Sequence, residues 1–268
     1  MKPKKRIIFT LLYNSGQFAL SRNFRLQSIG DSEWLQKNYN FDNVSFHIDE
    51  LLIFDVSRDK RDKQKFCQQV KKLSENIFVP LTVGGGINSI EDAILYFNSG
   101  ADKVSLNTSL FRKPYLARDI CKVYGRQCLI GSLDILYKDN EFNIYTENGQ
   151  TLVGSLNTFL ENNVVLEDIG ELYINSINQD GTGNGLDIQL LNLVKEKSKL
   201  PFIIAGGIGK VTDIREYLCN ESIDALGIAH LLNFIGDSLC KTRVICRESG
   251  VKLANWPDLS QLNQSSTS

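Results

Sequence analysis

The chain has few of the residues that build metal centres. Of its 268 residues only two are histidines, His47 and His230, and only one is methionine. The six cysteines are scattered, and none forms a CxxC pair. Because protein zinc sites gather Cys and His ligands at short, regular spacings, we predict neither a metal nor a cofactor. We interpret the cysteines as reduced thiols of a cytoplasmic protein.

The chain also lacks a charge excess and a long apolar run. Its 30 basic and 31 acidic residues give a net charge of −1, so no general attraction to nucleic acid or an anionic membrane is expected. The apolar run after the basic N-terminal residues is short, which favours a buried strand over a signal peptide. No segment approaches the roughly 20 apolar residues needed to span a bilayer, so we predict no membrane partner.

Short apolar runs recur along the chain with helix-compatible stretches between them. Continuous apolar runs of this length are typical of strands buried on both faces. Segments 89–100 and 189–199 carry apolar residues at helical spacing. We therefore predict a (β/α)₈ TIM barrel, a single domain over residues 1–256 with a polar tail at 257–268. The predicted strands are 6–12, 51–56, 80–85, 103–106, 127–134, 171–176, 201–207 and 224–229.

The sequence repeats itself once. GGGI at 84–87 is followed by ADKVSLNT at 101, and AGGIG at 205–209 is followed by IDALGIAH at 223, so the later segments start 122 positions apart. We infer a two-fold half-barrel repeat with halves at about 1–123 and 124–256. When the two halves are aligned with this offset, Asp134 falls at the position equivalent to Leu12.

Glycines end two of the predicted strands in equivalent positions. Function in a TIM barrel lies at the C-terminal ends of the strands, and glycine lets backbone N–H groups approach phosphate oxygens. The alternative is a pair of tight turns without a ligand. We predict two phosphate sites on opposite sides of the mouth and a ligand with a phosphate at each end. The predicted contacts are Gly85, Gly86, Asn107, Thr108, Gly206, Gly207, Ala229 and His230.

Several motifs in order resemble a known family. They are KRII (5–8), IDELLIFD (48–55), PLTVGGGI (80–87), ADKVSLNT (101–108), GRQCLIGSLD (125–134), GELYINSINQDGTGNGLD (170–187) and IIAGGIG (203–209). Together they resemble HisF, the cyclase subunit of imidazole glycerol phosphate synthase, more than the related isomerase HisA. The resemblance implies that a HisH-like glutaminase docks at the barrel bottom. It also implies that ammonia is added to a bis-phosphate intermediate at the mouth.

The resemblance assigns an ammonia gate to the barrel floor. Its charged positions fall on residues that begin predicted strands and keep their charge type: Arg6, Glu50, Lys103 and Glu171. Buried charges need partners, so two cations and two anions can neutralise one another. An ordinary salt-bridged barrel floor would look the same. Asp102 falls where HisF proteins contact the glutaminase.

One catalytic carboxylate of the family is missing. The resemblance places the fifth-strand aspartate on Asp134, whereas its first-strand partner falls on Leu12. Thr10, Leu11, Tyr13 and Asn14 offer no substitute, and Leu20 stands where the family carries a basic residue in a mobile loop. Since a leucine cannot move a proton, the ordinary cyclisation should be crippled or absent.

Other positions of the mouth are polar but altered. Asn175 and His230 replace a threonine and a serine usual in the family. His230 could bind an anion or be a packed residue. We expect Asp180 and Gly181 to contact phosphate or substrate, although Asp-Gly also forms turns. Asp55 is expected to order the mouth. The charge cluster at 57–65 is interpreted as a solvated loop or helix start.

Three functions remain open. Paralogues with an apolar first-strand residue resemble this chain and supply ammonia to a third enzyme that amidinates a nucleotide sugar in surface-polysaccharide (lipopolysaccharide, O-antigen type) biosynthesis. This is the leading hypothesis. The alternatives are a histidine-biosynthesis cyclase that works with Asp134 alone and a non-catalytic scaffold.

Overall fold

Eight parallel strands close into a barrel, which confirms the predicted fold. The structure, a computed structural model, describes residues 4–39, 47–59, 61–75, 77–229 and 238–254. The barrel closes because the fifth strand pairs with the sixth and the eighth pairs with the first. In barrel order the strands are β1 (Arg6–Asn14), β4 (Glu50–Asp55), β5 (Leu81–Gly84), β6 (Lys103–Leu106), β7 (Leu129–Lys138), β10 (Glu171–Ser176), β11 (Phe202–Ala205) and β12 (Ala225–Ile228). The predicted tail lies outside the described residues.

Four further strands, which the sequence analysis did not predict, extend the barrel at its mouth. They are β2 (Gln17–Arg22), β3 (Arg25–Gly30), β8 (Glu141–Thr146) and β9 (Thr151–Ser155). Strands β1–β2–β3 form one antiparallel extension and β7–β8–β9 form another. Because β1 and β7 are the first and fifth barrel strands, the two extensions arise one half-barrel apart.

Helices surround the barrel in the intervals between strands. They are α1 (Ser32–Tyr39), α2 (Lys63–Ser74), α3 (Ile90–Asn98), α4 (Thr108–Arg112), α5 (Pro114–Tyr124), α6 (Leu156–Asn162), α7 (Ile188–Lys197), α8 (Val211–Cys219) and α9 (Ser238–Glu248). Helix α2 begins where the Asp62 carboxylate accepts a hydrogen bond from Lys65 N, and α3 begins in the same way at Ser89. In the described part of the chain, no helix has the length and apolar character of a bilayer span.

Side chains alternate between the barrel lumen and the helical shell. The lumen-facing core includes Ile8, Leu52, Ile130, Ile203 and Ala225, all fully buried. Because side chains alternate along a strand, Ile8 and Leu12 point to the same face of β1. Ile130 and Asp134 likewise point to the same face of β7. The alternation therefore delivers Leu12 and Asp134 to the mouth.

The two halves of the barrel repeat a local turn. Gly85, at φ +104°, lies against the backbone of Asp55, and Gly206, at φ +98°, lies against the backbone of Ser176. Both glycines and both of their neighbours are 121 positions apart in the sequence. The repeat inferred from sequence spacing thus has a structural counterpart, while the exact half-barrel boundaries stay a prediction.

Candidate active site at the barrel mouth

A cavity of about 630 Å³ opens at the C-terminal ends of the barrel strands. Both Asp134 and Leu12 line it. So does every predicted phosphate or substrate contact that the structure describes, while His230 lies outside the described residues. These contacts are Gly85, Gly86, Asn107, Thr108, Asn175, Asp180, Gly181, Gly206, Gly207 and Ala229.

Asp134 is the carboxyl group best prepared for proton transfer. Asn107 Nδ2 donates to its Oδ2 at 3.1 Å, and Asn175 hydrogen-bonds to the same side chain. Burial raises the pKa of Asp134 to about 7, helped by the nearby charge of Asp180, while the two asparagines pull the pKa down. A carboxyl group half-protonated near neutral pH can both donate and accept a proton.

Leu12 leaves Asp134 without the predicted carboxylate partner. It pairs with Phe54 on β4 and Ala19 on β2, and its side chain lines the cavity. A leucine offers only apolar surface, so this part of the mouth can pack against a ligand but cannot exchange a proton with it.

Asp55 is held by its own loop. Its Oδ1 accepts a hydrogen bond from Ser57 N at 3.0 Å, and its Oδ2 lies 3.7 Å from Arg61 Nε. The carboxylate is buried beneath the Gly85 turn. This agrees with the expectation that Asp55 orders the mouth.

Asp180 fastens the first hairpin over the cavity. Its Oδ2 accepts hydrogen bonds from Ser21 Oγ at 2.5 Å and from Phe24 N at 3.0 Å. The Asp180 carbonyl oxygen accepts from Asn23 N. The segment that the family resemblance presents as a mobile loop is therefore an anchored hairpin in this structure. Within it Leu20 is buried and does not line the cavity.

Arginines that sequence reasoning missed line the cavity. Arg58 and Arg61 come from the charge cluster at 57–65, and Arg112 lies at the end of α4. As predicted, a helix starts within the cluster, at Lys63, and the charged loop residues described before it are exposed: Arg58, Asp59, Arg61 and Asp62. The sequence feature that could have revealed these arginines is their position, because Arg58 and Arg61 closely follow the end of barrel strand β4.

Glu147, another missed residue, caps the mouth from the second extension. Its carboxylate lies 2.5 Å from Arg112 Nη2 and accepts a hydrogen bond from Thr151 Oγ1 at 2.7 Å. These contacts lower the pKa of Glu147, with the Thr151 hydrogen bond contributing most. The side chain is therefore ionised at neutral pH and bound to its own partners.

Two aromatic rings form the inner end of the cavity. Phe54 and Tyr173, on opposite sides of the barrel, meet edge-to-face with ring centroids 5.2 Å apart. Small residues make room for them: a Cβ added to Gly84 would come within 2.6 Å of the Phe54 ring, and one added to Gly227 within 3.1 Å of Tyr173. Both rings line the cavity and also pack with the apolar lumen cluster, so they lie where the mouth meets the lumen.

The four predicted floor residues meet in one ionic ring. Glu50 contacts Arg6 Nη1 at 3.3 Å and Lys103 Nζ at 3.0 Å. Glu171 contacts Arg6 through two hydrogen bonds and lies 3.6 Å from Lys103. Each carboxylate therefore touches both cations. Thr82 Oγ1 adds a hydrogen bond to Glu50 at 2.6 Å, so the nearly inaccessible Glu50 has three partners.

Near this ring, Asp102 is exposed at the bottom of the barrel. Its Oδ2 accepts a hydrogen bond from Leu81 N at 2.8 Å. Its predicted contact with a glutaminase stays a prediction. No group of three or more His, Cys, Asp or Glu side chains within the described ranges is arranged to hold a metal ion.

Comparison with known proteins identifies the family. The profile described as "Histidine biosynthesis protein" matches residues 26–235. The chain is 46% identical, over 98% of both chains, to a Parasynechococcus marenigrum (strain WH8102) protein provisionally named imidazole glycerol phosphate synthase subunit hisF2. It is 32% identical to the HisF subunit of Exiguobacterium sp. (strain ATCC BAA-1283 / AT1b), over 93% of this chain and 96% of the relative. The chain belongs to the HisF family.

A third relative supports the same assignment. The HisF subunit of Microcystis aeruginosa (strain NIES-843 / IAM M-2473) is 32% identical over 86% of this chain and 91% of the relative. The chain is thus a HisF-like synthase subunit with a TIM-barrel fold.

Proposed function

We propose that this HisF-like subunit receives ammonia from a HisH-like glutaminase through the barrel, while its own cyclase chemistry is altered or lost. The ammonia would serve amidination of a nucleotide sugar in surface-polysaccharide biosynthesis by a third enzyme. One contrast carries the proposal: the ionic ring at the floor is complete, whereas Leu12 removes one of the two acid–base groups at the mouth.

The floor and lumen are suited to a small neutral molecule. Arg6 and Lys103 at the floor are paired with Glu50 and Glu171, so both carboxylates already have cationic partners and are not free to hold an ammonium ion. Above the ring, the lumen is lined by apolar side chains such as Ile8, Leu52 and Ile130. Transfer of an ion into such surroundings is far more costly than transfer of a small neutral polar molecule. These features support ammonia as the molecule that passes.

The mouth supports altered chemistry. Ring closure by acid–base catalysis needs one group that takes a proton and another that gives one. Asp134 can do either but not both at once. Asp55, Asp180 and Glu147 are each held by other residues.

A second candidate function is the histidine-biosynthesis cyclase. Two observations favour it: relatives at 32% identity carry the HisF name, and the pKa of Asp134 is about 7. If Asp134 served in both steps of the reaction in turn, a slow cyclase would result.

Glutamine hydrolysis by a HisH-type glutaminase from the same genome, with and without this chain, tests the proposal. We expect a stable complex, and we expect this chain to raise the rate of glutamine hydrolysis about tenfold or more, which is the size of a typical allosteric coupling. Asp102→Lys at the floor should abolish both, because it reverses a charge at the proposed interface. Glu147→Lys at the mouth is the matched control and should leave both intact. Absence of binding and stimulation in the natural chain contradicts the proposal.

A further inference from the structure

A buried ion pair lies outside the barrel wall, behind the ionic ring of the floor. The guanidinium group of Arg243, on α9, contacts both carboxylate oxygens of Asp49, with Nη1–Oδ2 at 2.9 Å and Nη2–Oδ1 at 2.5 Å. Each side chain is only 4% exposed. Apolar residues of similar size commonly stabilise a fold as well as a buried ion pair does, so stability alone does not account for this pair.

Asp49 joins β1 to β4 beside two members of the ring. Its Oδ2 accepts a hydrogen bond from Ile7 N at 2.8 Å, and its own N–H donates to the Ile7 carbonyl oxygen at 2.7 Å. Ile7 directly follows Arg6, and Asp49 directly precedes Glu50. Neighbouring residues of a strand point to opposite faces. Asp49 therefore joins the two strands on the outside of the wall at the level where Arg6 and Glu50 meet on the inside.

Arg243 fixes the Asp49 carboxylate in this position. A paired contact between a guanidinium group and a carboxylate sets the orientation of both groups. The same guanidinium donates to two backbone carbonyl oxygens, that of His47 at 3.4 Å and that of Ala254 at 2.9 Å. Arg243 thus connects the segment before β4 with the segment after α9, and Asp49 is held between them.

The second half of the barrel repeats the backbone of this arrangement but not its charges. Gly170 stands 121 positions after Asp49 and directly precedes Glu171. Its N–H donates to the carbonyl oxygen of Leu129 at 3.0 Å, as Asp49 N–H donates to Ile7. A Cβ at Gly170 would overlap the Arg126 carbonyl oxygen, so no carboxylate can take this place. The ion pair therefore supports the ring only on the side of Arg6 and Glu50.

We infer that Arg243 is a positioning residue for the floor ring and that it acts through Asp49. The pair keeps β1 and β4 at the spacing that places Arg6 Nη1 3.3 Å from Glu50 Oε2. Glu50 in turn accepts two hydrogen bonds of 3.0 Å from Lys103 Nζ, so loss of the pair loosens Lys103 as well. The inference rests on the proposed function only in taking the ring as the entrance for ammonia.

Amine labelling of the full-length chain tests the inference, with Lys103 as the reporter. The chain is treated with formaldehyde and cyanoborohydride, and peptide mass spectrometry gives the methylation rate of each lysine. Lys103 is 21% exposed and bound to Glu50, so it should react slowly in the natural chain. Arg243→Gln should raise its rate about tenfold, the factor expected when one hydrogen bond to a charged group is lost. Lys63, 30% exposed and paired with Asp92 on another side of the barrel, is the internal reference and should keep its rate.

Two further variants separate positioning from a general effect of α9. Arg247→Gln is the matched control, because Arg247 lies one turn along the same helix and donates to the same Ala254 carbonyl oxygen, at 2.6 Å. Among the described residues Asp49 is paired with Arg243 and not with Arg247, so this variant should leave the Lys103 rate unchanged. Asp49→Asn should raise the rate as Arg243→Gln does. Combining the two should add little, because both remove the same contact.

Arg243→Lys keeps the test decisive if Arg243→Gln does not fold. It retains the positive charge but not the paired contact, so the Lys103 rate should lie between those of the natural chain and Arg243→Gln. Thermal unfolding sets a labelling temperature at which every variant is native.

Three results would overturn the inference. They are an unchanged Lys103 rate in the folded Arg243 variants, an equal rise at Lys103 and Lys63, and independent effects of Arg243→Gln and Asp49→Asn in the double variant. Neither a glutaminase nor ammonia enters these measurements, so they fail or succeed independently of the ammonia proposal.

Discussion

Leu12 and Asp134 hold the same place in the two halves of the barrel, 122 positions apart. Each lies on a barrel strand that continues into an antiparallel extension, and each lines the same cavity. The backbone provides two equivalent positions for an acid–base pair, but the sequence fills only one of them with a carboxyl group. The altered chemistry proposed for the mouth follows from that asymmetry.

Asp134 should make the protein less stable as the pH rises. Its pKa is about 7 in the folded protein, against about 3.9 for an unfolded aspartate, so the folded state holds the proton more tightly. The associated stability is complete below about pH 4 and is lost as the pH rises through 7. Relative to Asp134→Asn, the free energy of unfolding of the natural chain should fall by up to about 4 kcal/mol between pH 4 and pH 8.

Denaturant unfolding at several pH values checks this. Asp139→Asn, an equal charge change in an exposed turn, is the control and should follow the pH profile of the natural chain. Parallel profiles for the natural chain and Asp134→Asn would show that the carboxyl group is not shifted.

Glu50→Gln should strongly destabilise the floor. The substitution leaves the charges of Lys103 and Arg6 with one anion, Glu171, to balance them. Removing one partner from a buried ionic network costs about 3–5 kcal/mol. Asp168→Asn, which removes the partner of exposed Arg118, should cost less than about 1 kcal/mol. Equal unfolding midpoints for the two variants in urea would argue against a tightly coupled ring.

Asp180→Ala should release the first hairpin. The substitution removes the acceptor for Ser21 Oγ and for Phe24 N. We expect faster amide hydrogen exchange across β2 and β3, with a local loss of about 1–3 kcal/mol of protection. Strands β8 and β9 form the internal control and should keep their exchange rates. An unchanged first hairpin would mean that Asp180 does not anchor it.

The barrel could be predicted from the sequence because its strands are encoded locally. Segments such as 51–56 and 171–176 are continuous apolar runs, and their spacing allows eight strand–helix units. The floor residues could be placed because each begins such a run. The extensions were missed because β2 has only four buried residues between exposed ends, and β3 has no buried residue. The β2–β3 turn also places Phe24 at positive φ, an unusual position for an aromatic residue.

The charges of the mouth could not be predicted from the sequence. Arg58 and Arg61 belong to a polar cluster that has no local mark of burial, and only the path of the chain after β4 brings Arg61 over Gly86. The raised pKa of Asp134 depends on burial among residues distant in sequence. The role of Asp180 is similar, because its partners Ser21 and Phe24 lie more than 150 positions away.

Ammonium-dependent consumption of the bis-phosphate cyclase substrate at high pH tests the central claim most directly. The natural chain and Leu12→Asp would be assayed side by side, with Asp134→Asn as the inactive reference. We expect no turnover by the natural chain above that reference, because Leu12 supplies no acid–base group. Turnover by Leu12→Asp alone would identify the missing carboxylate as the sole obstacle. Robust turnover by the natural chain would contradict the account and return the protein to histidine biosynthesis.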